Sequence, residues 1–461
     1  YLSSNGEAFT SRTAGFIIQP HFPPGITNTA PGPLTGVGLS SLPFSDINHF
    51  RNPATPAAGI GNTSLSGNPG GVPLYKGGVC VGAVGVDSSA TLSALVYVPG
   101  LSNDENVAVA AQSGYNAPPG IVATNVLLNG IRLPYISSTN GGYGTVALNP
   151  VFEDPAFPIT ASTGLPFNTT TPSPFPGITG TVRNQIQGSA LGPVNGQPRL
   201  SRSEVLQILK QGAQRANITR AAIRSPAGVS AQVFIVVVDY YNPATPPGST
   251  PGDGTNPPTN VPEVLGSFRT SDATLFSYDV AAQKARTALF FSNNTMALSA
   301  RTVGFLAQGT YPPGIDGTAP GPYGPPIYGA SNAGFLATTG VPFFTDPADG
   351  YGLQVLYSLS HTALAGATPI ALPVISTVAS PDPYLPNGIT VFPGGFPLYR
   401  NGQLIGAVGV SGDGVDQDDI ISASATVGFE APVGIRADEF EYRGARLPYA
   451  KFPQNSTLSG Y

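Results

Sequence analysis

The stretch Gly394-Gly-Phe-Pro-Leu-Tyr-Arg-Asn-Gly-Gln-Leu-Ile-Gly-Ala-Val-Gly-Val-Ser-Gly412 constrains this chain more than any other. It reads as one β-hairpin. Phe396 to Arg400 predicts one strand and Gln403 to Val410 another. Asn401-Gly402 is the turn between them, because a two-residue hairpin turn needs φ > 0 and Asn and Gly tolerate it best. An earlier stretch, Gly70-Gly-Val-Pro-Leu-Tyr-Lys-Gly-Gly-Val-Cys-Val-Gly-Ala-Val-Gly-Val86, has the same pattern, with Gly77-Gly78 as its turn. The chain contains a repeated unit.

The repeat extends beyond the hairpins. Ser11-Arg-Thr-Ala-Gly-Phe16 matches Ala300-Arg-Thr-Val-Gly-Phe305. At the same offset Pro23-Pro-Gly-Ile26 meets Pro312-Pro-Gly-Ile315, and Ala30-Pro-Gly-Pro33 meets Ala319-Pro-Gly-Pro322. Later Asp104-Glu105 meets Asp418-Asp419, and Arg132-Leu-Pro-Tyr135 meets Arg446-Leu-Pro-Tyr449, at a changed offset. Changing offsets place insertions in loops, where they are tolerated. The pattern is that of a duplicated domain, not of a short solenoid repeat.

At 461 residues there is room for two or three domains with real cores. Charged residues are only 10%, against about a quarter in an ordinary soluble domain. Such a surface suits a chain packed against copies of itself, or one living outside the cell. Lys76, Lys210, Lys284 and Lys451 are the only lysines, the net charge is −5, and no basic run exists, which argues against nucleic acid as a partner. No apolar run reaches the roughly 18 residues of a membrane span. Cys80 stands alone, so there is no disulfide framework; its place on a strand marks it as a small core hydrophobe.

Residues 200–461 read as a complete mixed helix-and-sheet domain. Ser201 and Glu204 form a capping box, and Val205, Ile208, Leu209, Gly212, Ala213 and Ala216 fall on one helical face. Gln232 to Asp239 predicts a buried strand, Glu263 to Arg269 a second, Asp272 to Phe291 a long helix and Met296 to Gln308 a short one. Ile420, Ala423, Ser424 and Val427 follow at helical spacing after the acidic run Asp413 to Asp419. Carboxylates at a helix start favour the dipole and its free N–H groups; calcium is the sharper alternative, at a spacing that is not an EF-hand loop. Residues 1–136 match only the back half of that domain, since Tyr1 aligns with Phe290. The missing front half is expected to belong to a longer chain, to come from a neighbouring subunit, or to be replaced by residues 137–199. That Gly/Pro/Ser/Thr-rich segment reads as a linker, with one short strand near Thr145 to Leu148.

The second copy resembles the GlcG/HbpS-like haem-binding family from Leu200 to about Phe429. The resemblance rests on Ser277-Tyr-Asp-Val-Ala-Ala-Gln-Lys-Ala-Arg-Thr287, on Gly394-Gly-Phe-Pro-Leu-Tyr399, on Gly406-Ala-Val-Gly-Val-Ser-Gly412, and on the acidic helix start that follows. It implies an α/β (α+β) fold of tandem domains, each an antiparallel sheet of about five strands with helices on its faces. It also implies oligomers, an extracellular, cell-surface or periplasmic location, and haem as a cofactor. Axial haem ligands are usually His, Met, Cys or Tyr. The histidines are His21, His49 and His361, and neither copy repeats the other's. Met296 reads as core, and the many tyrosines are a further source of ligands. No Gly-x-Ser-x-Gly elbow, phosphate loop or His-Glu-x-x-His is present, so no enzyme is expected. Arg12 and Arg301, and Arg132 and Arg446, occupy equal positions; they are expected to bind loop carbonyls or a neighbour's carboxylate, with an anion site as the alternative. Two functions remain open: a secreted haem or tetrapyrrole binder, and a structural subunit of an extracellular filament or layer without cofactor.

Overall fold

The structure is a computed structural model. It describes residues 2–19, 67–86, 102–137, 170–183, 186–224, 228–240, 262–308 and 390–451, with isolated positions at 22–24, 26, 32–34, 226, 310–313, 315, 317–319 and 321. In chain order the N-terminal part holds α1 (Ser11–Ile17), β1 (Gly71–Lys76), β2 (Val79–Gly85), α2 (Asn103–Ala111), β3 (Leu127–Leu128) and β4 (Ile131–Arg132). Then come β5 (Thr170–Pro172), β6 (Gly180–Arg183), α3 (Arg202–Ile218), β7 (Val233–Asp239), β8 (Val264–Thr270), α4 (Ser277–Phe290) and α5 (Ala300–Leu306). The last elements are β9 (Gly395–Arg400), β10 (Gln403–Gly412), α6 (Val415–Ala425), β11 (Glu441–Tyr442) and β12 (Ala445–Arg446).

The centre is a six-stranded antiparallel sheet in the order β5-β6-β8-β7-β10-β9. The β9–β10 hairpin is the one the sequence predicts, with Asn401 at φ 49° and Gly402 at φ 77°. Strand β7 is buried along its whole length. It is a near-continuous apolar run because α4 covers one sheet face while α3 and α6 cover the other. Each of its buried valines contributes about 1.5–3 kcal/mol. The glycines of β9 and β10 set the helix–sheet distance. A Cβ at Gly409 would overlap the carbonyl of Ala281, and one at Gly395 that of Lys284, so α4 lies directly on the strand backbones.

The sheet has six strands where about five were expected. Residues 170–183, inside the segment read as linker, form the β5–β6 hairpin that closes the free edge of β8. Few apolar residues hold it: Phe175 packs on Phe268, ring centroids 5.4 Å apart, and Val182 and Ile186 reach the core. Strands this short, in a Thr/Pro-rich context, leave little alternation to detect. The strand expected near Thr145 to Leu148 lies outside the described residues.

Helix α3 has its predicted capping box, and all six predicted face residues are buried. Helix α4 starts later than expected, at Ser277. The Arg269 guanidinium donates to the Ala273 carbonyl at 2.6 and 3.0 Å, and residues 271–272 and 275–276 form turns before the helix. The helix expected from Met296 is only α5, because Ala297 pairs with the backbone of Ile435 and Ala437 instead.

The N-terminal part packs a second core, in which Leu2, Phe9, Ile17, Tyr75, Val126, Leu133 and Tyr135 meet Phe276 and Val280 of the larger unit. Its hairpin differs from β9–β10 in one respect. Strand β10 is paired on both sides, whereas among the described residues β2 pairs only with β1, and it is largely exposed. Cys80, expected in the core, is therefore half-buried: strand β7 and helix α4, which pack on β10, have no described counterpart on β2.

Candidate functional site

The three histidines proposed as haem ligands, His21, His49 and His361, lie outside the described residues. Tyr311 stands beside the Pro-Pro-Gly loop and is 2% exposed. Its ring packs edge-on against Phe305 and Tyr442, centroids 5.5 and 5.2 Å away. Its hydroxyl has no hydrogen-bond partner among the described residues. Burial raises its pKa, and so does Tyr442, while Arg443 pulls the other way. Met296 is partly buried against the core.

Elsewhere the fold gathers its ionisable groups into internal clusters. Two of them are alike. Thr10 caps α1 and its hydroxyl donates to the Tyr135 carbonyl; Ser299 caps α5 and donates to that of Tyr449. Two residues on, the Arg12 guanidinium donates two hydrogen bonds to the Glu105 carboxylate (2.7 and 2.9 Å), and Arg301 donates to Asp419 (2.8 Å) and Asp416 (2.7 Å). Each arginine thus ties the helix after the Pro-Pro-Gly-proximal cap to the helix after the hairpin. Both guanidiniums are engaged by carboxylates, so the anion-site alternative does not hold for them. Arg132 and Arg446 donate to the loop carbonyls of Thr124 and Asp438.

Asp416 and Asp418 stand in the first turn of α6, where the helix dipole favours them, but Gly414 precedes the helix and no side chain caps it. Asp416 binds Arg301 and Lys451, which outweigh its burial and hold its pKa below the usual range. Asp418 binds the Lys284 ammonium at 2.7 Å, and that ammonium also donates to the Val410 carbonyl at 3.0 Å. Asp419 accepts from Arg301 and from the backbone of Gly394 and Lys451. Asp413 receives Arg224 (2.6 and 3.2 Å) and the Gln232 amide (2.8 Å).

Arg224 is the centre of the contact between the two parts of the molecule. It also reaches Glu7 (3.4 Å), Asp272, and the hydroxyl of Ser4 (3.0 Å). Asp272 in turn accepts the amides of Asn5 and Gly6 at 2.9 and 2.8 Å. Burial pushes the Glu7 pKa well up and the nearby charge of Asp413 adds to it, with Arg224 opposing. Burial likewise raises Asp418, to about 6, against the pull of Lys284. Beside these groups lies a cavity of about 80 Å³, lined mainly by apolar side chains from both parts and by Glu7, Thr274, Lys284, Ser411 and Asp418.

Sequence reading did not find this network. Two signals were present: Asp413 has no match in the first repeat, and Lys284 is one of only four lysines in the chain.

Residues 262–426 match the family described as haem-degrading protein HbpS-like. No curated protein matches the chain. Among solved structures, the PduOC:heme complex is similar at 18% identity, covering 51% of this chain and 98% of that one, with a TM-score of 0.26. Klebsiella pneumoniae protein ORFY, of family DUF336, is similar at 17% identity, covering 52% and 96%, with a TM-score of 0.25. No described helix is long and apolar enough to cross a membrane. The matched residues, 262–426, span β8, α4, α5, the β9–β10 hairpin and α6, and make that part of the chain similar to the HbpS-like family.

Proposed function

We propose that this chain is a secreted, non-enzymatic protein of haem- or tetrapyrrole-binding type that acts as an oligomer. The HbpS-like match over the sheet and its helices carries this reading. The reading takes residues 1–136 and 200–461 as two copies of one domain, supported by the recurrence of the Arg12–Glu105 tie as Arg301–Asp419. Tyr311 fits the group in kind: it is a buried phenol without a partner, in aromatic surroundings, and phenolates ligate haem iron. His21 adjoins Phe22, which occupies the place of Tyr311 in the first repeat. The cavity at Glu7 does not fit the group, since about 80 Å³ is far less than a ligand of that size fills. The test is the visible spectrum after adding haemin. A Soret band that survives gel filtration, and that falls in Tyr311→Phe, His21→Ala, His49→Ala or His361→Ala, supports binding. Only the broad absorbance of free haemin would end this reading.

A second reading, a subunit of an extracellular assembly, is favoured by β2. Val79 and Val81 are 50% and 55% exposed, while Ile405, at the place of Val81 in the other hairpin, is fully buried. An open apolar strand edge is a template for pairing. If it drives assembly, Val81→Lys lowers the particle mass in sedimentation; an unchanged mass would remove β2 from the account.

A further inference from the structure

The two long hairpins share one local geometry in different surroundings. The Tyr75 amide donates to the Tyr115 carbonyl and the Tyr399 amide to that of Phe429, each at 2.8 Å. The Cys80 amide donates to Asn5 Oδ1 and the Leu404 amide to Asn294 Oδ1, each at 2.9 Å. Position by position, the second repeat therefore shows what a strand and a helix of this kind pack against.

Three places differ together. Strand β7 pairs with β10 from Gly406 to Gly412. The matching edge of β2, from Gly82 onward, has no described strand beside it. Val107 of α2 is 55% exposed, whereas Ile421, its match in α6, is fully buried. Ala110 and Ala111 are exposed, whereas Ser424 and Ala425 are buried. Val107, Ala110 and Ala111 stand at i, i+3 and i+4, on one helix face. In the second repeat that place belongs to α3: a Cβ added at Gly212 would lie 3.4 Å from the Ala425 Cβ and 2.9 Å from Ile235 of β7. The third difference is a charge. Arg400, at the end of β9, pairs with Glu204 in the first turn of α3 at 2.7 Å. Lys76, its match at the end of β1, is exposed and forms no ion pair among the described residues. An unpaired edge, a helix face of small and apolar residues and a cation thus stand together, each half of a contact that the second repeat completes.

We propose that β2 and α2 form a docking surface for a helix–strand segment of the α3–β7 kind, supplied by another polypeptide. Its strand pairs antiparallel with β2. Its helix crosses Val107, Ala110 and Ala111 with a small residue at the crossing, and a carboxylate in its first turn meets Lys76. Main-chain bonds along the edge give such a segment affinity, and the helix face and the charge give it specificity. This docking rests on the reading of β2 as an assembly edge and names the partner that the edge takes.

The test is fluorescence anisotropy of a labelled peptide, residues 200–240 of this chain, titrated with the full chain, followed by hydrogen exchange of the complex. The expected result is saturable binding with slowed exchange at residues 79–86 and 103–111. Val81→Lys and Ala111→Phe, both at exposed positions, should each weaken binding at least about tenfold. Lys76→Glu should weaken it about threefold, and a Glu204→Lys peptide should recover that loss, as expected of a solvent-accessible ion pair. Unchanged thermal unfolding of these variants shows that a loss is not a failure to fold. No saturable binding, equal binding of a scrambled peptide, protection only elsewhere, or full affinity in both Val81→Lys and Ala111→Phe would each overturn the proposal. Sedimentation separates this from the assembly reading. If Val81→Lys lowers the particle mass of the chain while the peptide neither binds nor lowers it, the edge assembles through a different partner and the docking proposal alone falls. If the peptide binds with the expected protection while Val81→Lys leaves the mass unchanged, the docking stands and the assembly reading falls.

Discussion

Lys284→Met should cost this fold several kcal/mol at neutral pH and far less in mild acid. Lys284 is 1% exposed in α4, and its ammonium is bound to Asp418 and the Val410 carbonyl. Removing it leaves Asp418 as an unpaired buried carboxylate, a change that costs about 3–5 kcal/mol. The pH dependence follows from the same carboxyl. Its pKa in the folded state is about 6, against 3.8 unfolded. A carboxyl raised on folding binds its proton more tightly in the native state, so its contribution to stability is full below pH ~4 and is lost as pH rises through ~6. The difference between about 6 and 3.8 is worth roughly 3 kcal/mol in the wild type. In Lys284→Met the Asp418 pKa climbs further, and most of the cost disappears once the carboxyl is protonated. Urea unfolding at pH 7 and pH 5 measures this. The wild type should gain stability on acidification over that range, and the variant should gain more. Lys284→Met/Asp418→Leu should recover most of the loss at pH 7, because replacing a buried pair by apolar groups is often neutral. An equal deficit of the single variant at both pH values, or no recovery in the double variant, would refute the reasoning.

Arg12→Met should destabilise the N-terminal part by about 3–5 kcal/mol, because Glu105 stays buried without its cation; hydrogen exchange confined to residues 2–137 checks it. Gly409→Val should prevent α4 from closing on β10, since the Ala281 carbonyl already occupies the space of a Cβ; a loss above about 3 kcal/mol in urea unfolding is expected. Ser299→Ala should cost about 1 kcal/mol by removing the cap of α5 and its bond to the Tyr449 carbonyl. Glu204→Gln should lose stability at pH 7 but not at pH 3. Burial opposes the Glu204 charge, but bonds from Ser201 and Arg400 lower its pKa, so its contribution is present above the unfolded value and fades as pH falls.

Local rules of the chain determined most of the sheet and helices by themselves. The turn residues Asn401 and Gly402 fixed the β9–β10 hairpin and its register, since their left-handed backbone leaves few alternatives. The capping box at Ser201 and the apolar stripe of α3 gave that helix its start and its buried face. The unbroken Val/Ile/Phe run made β7 a strand covered on both sides. The equal positions of Arg12 and Arg301 marked two equivalent structural places, and their carboxylate partners, Glu105 and Asp419, came only with the fold.

Only the tertiary structure decided what those elements meet. The β5–β6 hairpin owes its place to the free edge of β8, not to its own short strands. Cys80 and Leu404 hold matching sequence positions, yet one is half-exposed and the other is core, because burial belongs to the neighbours of a strand. The Arg224 cluster joins Glu7, Asp272 and Asp413, residues separated by most of the chain. No periodicity encodes such a meeting. Coulombic partners and buried oxygens left without donors are properties of distance in space, and distance in space exists only once the chain has folded.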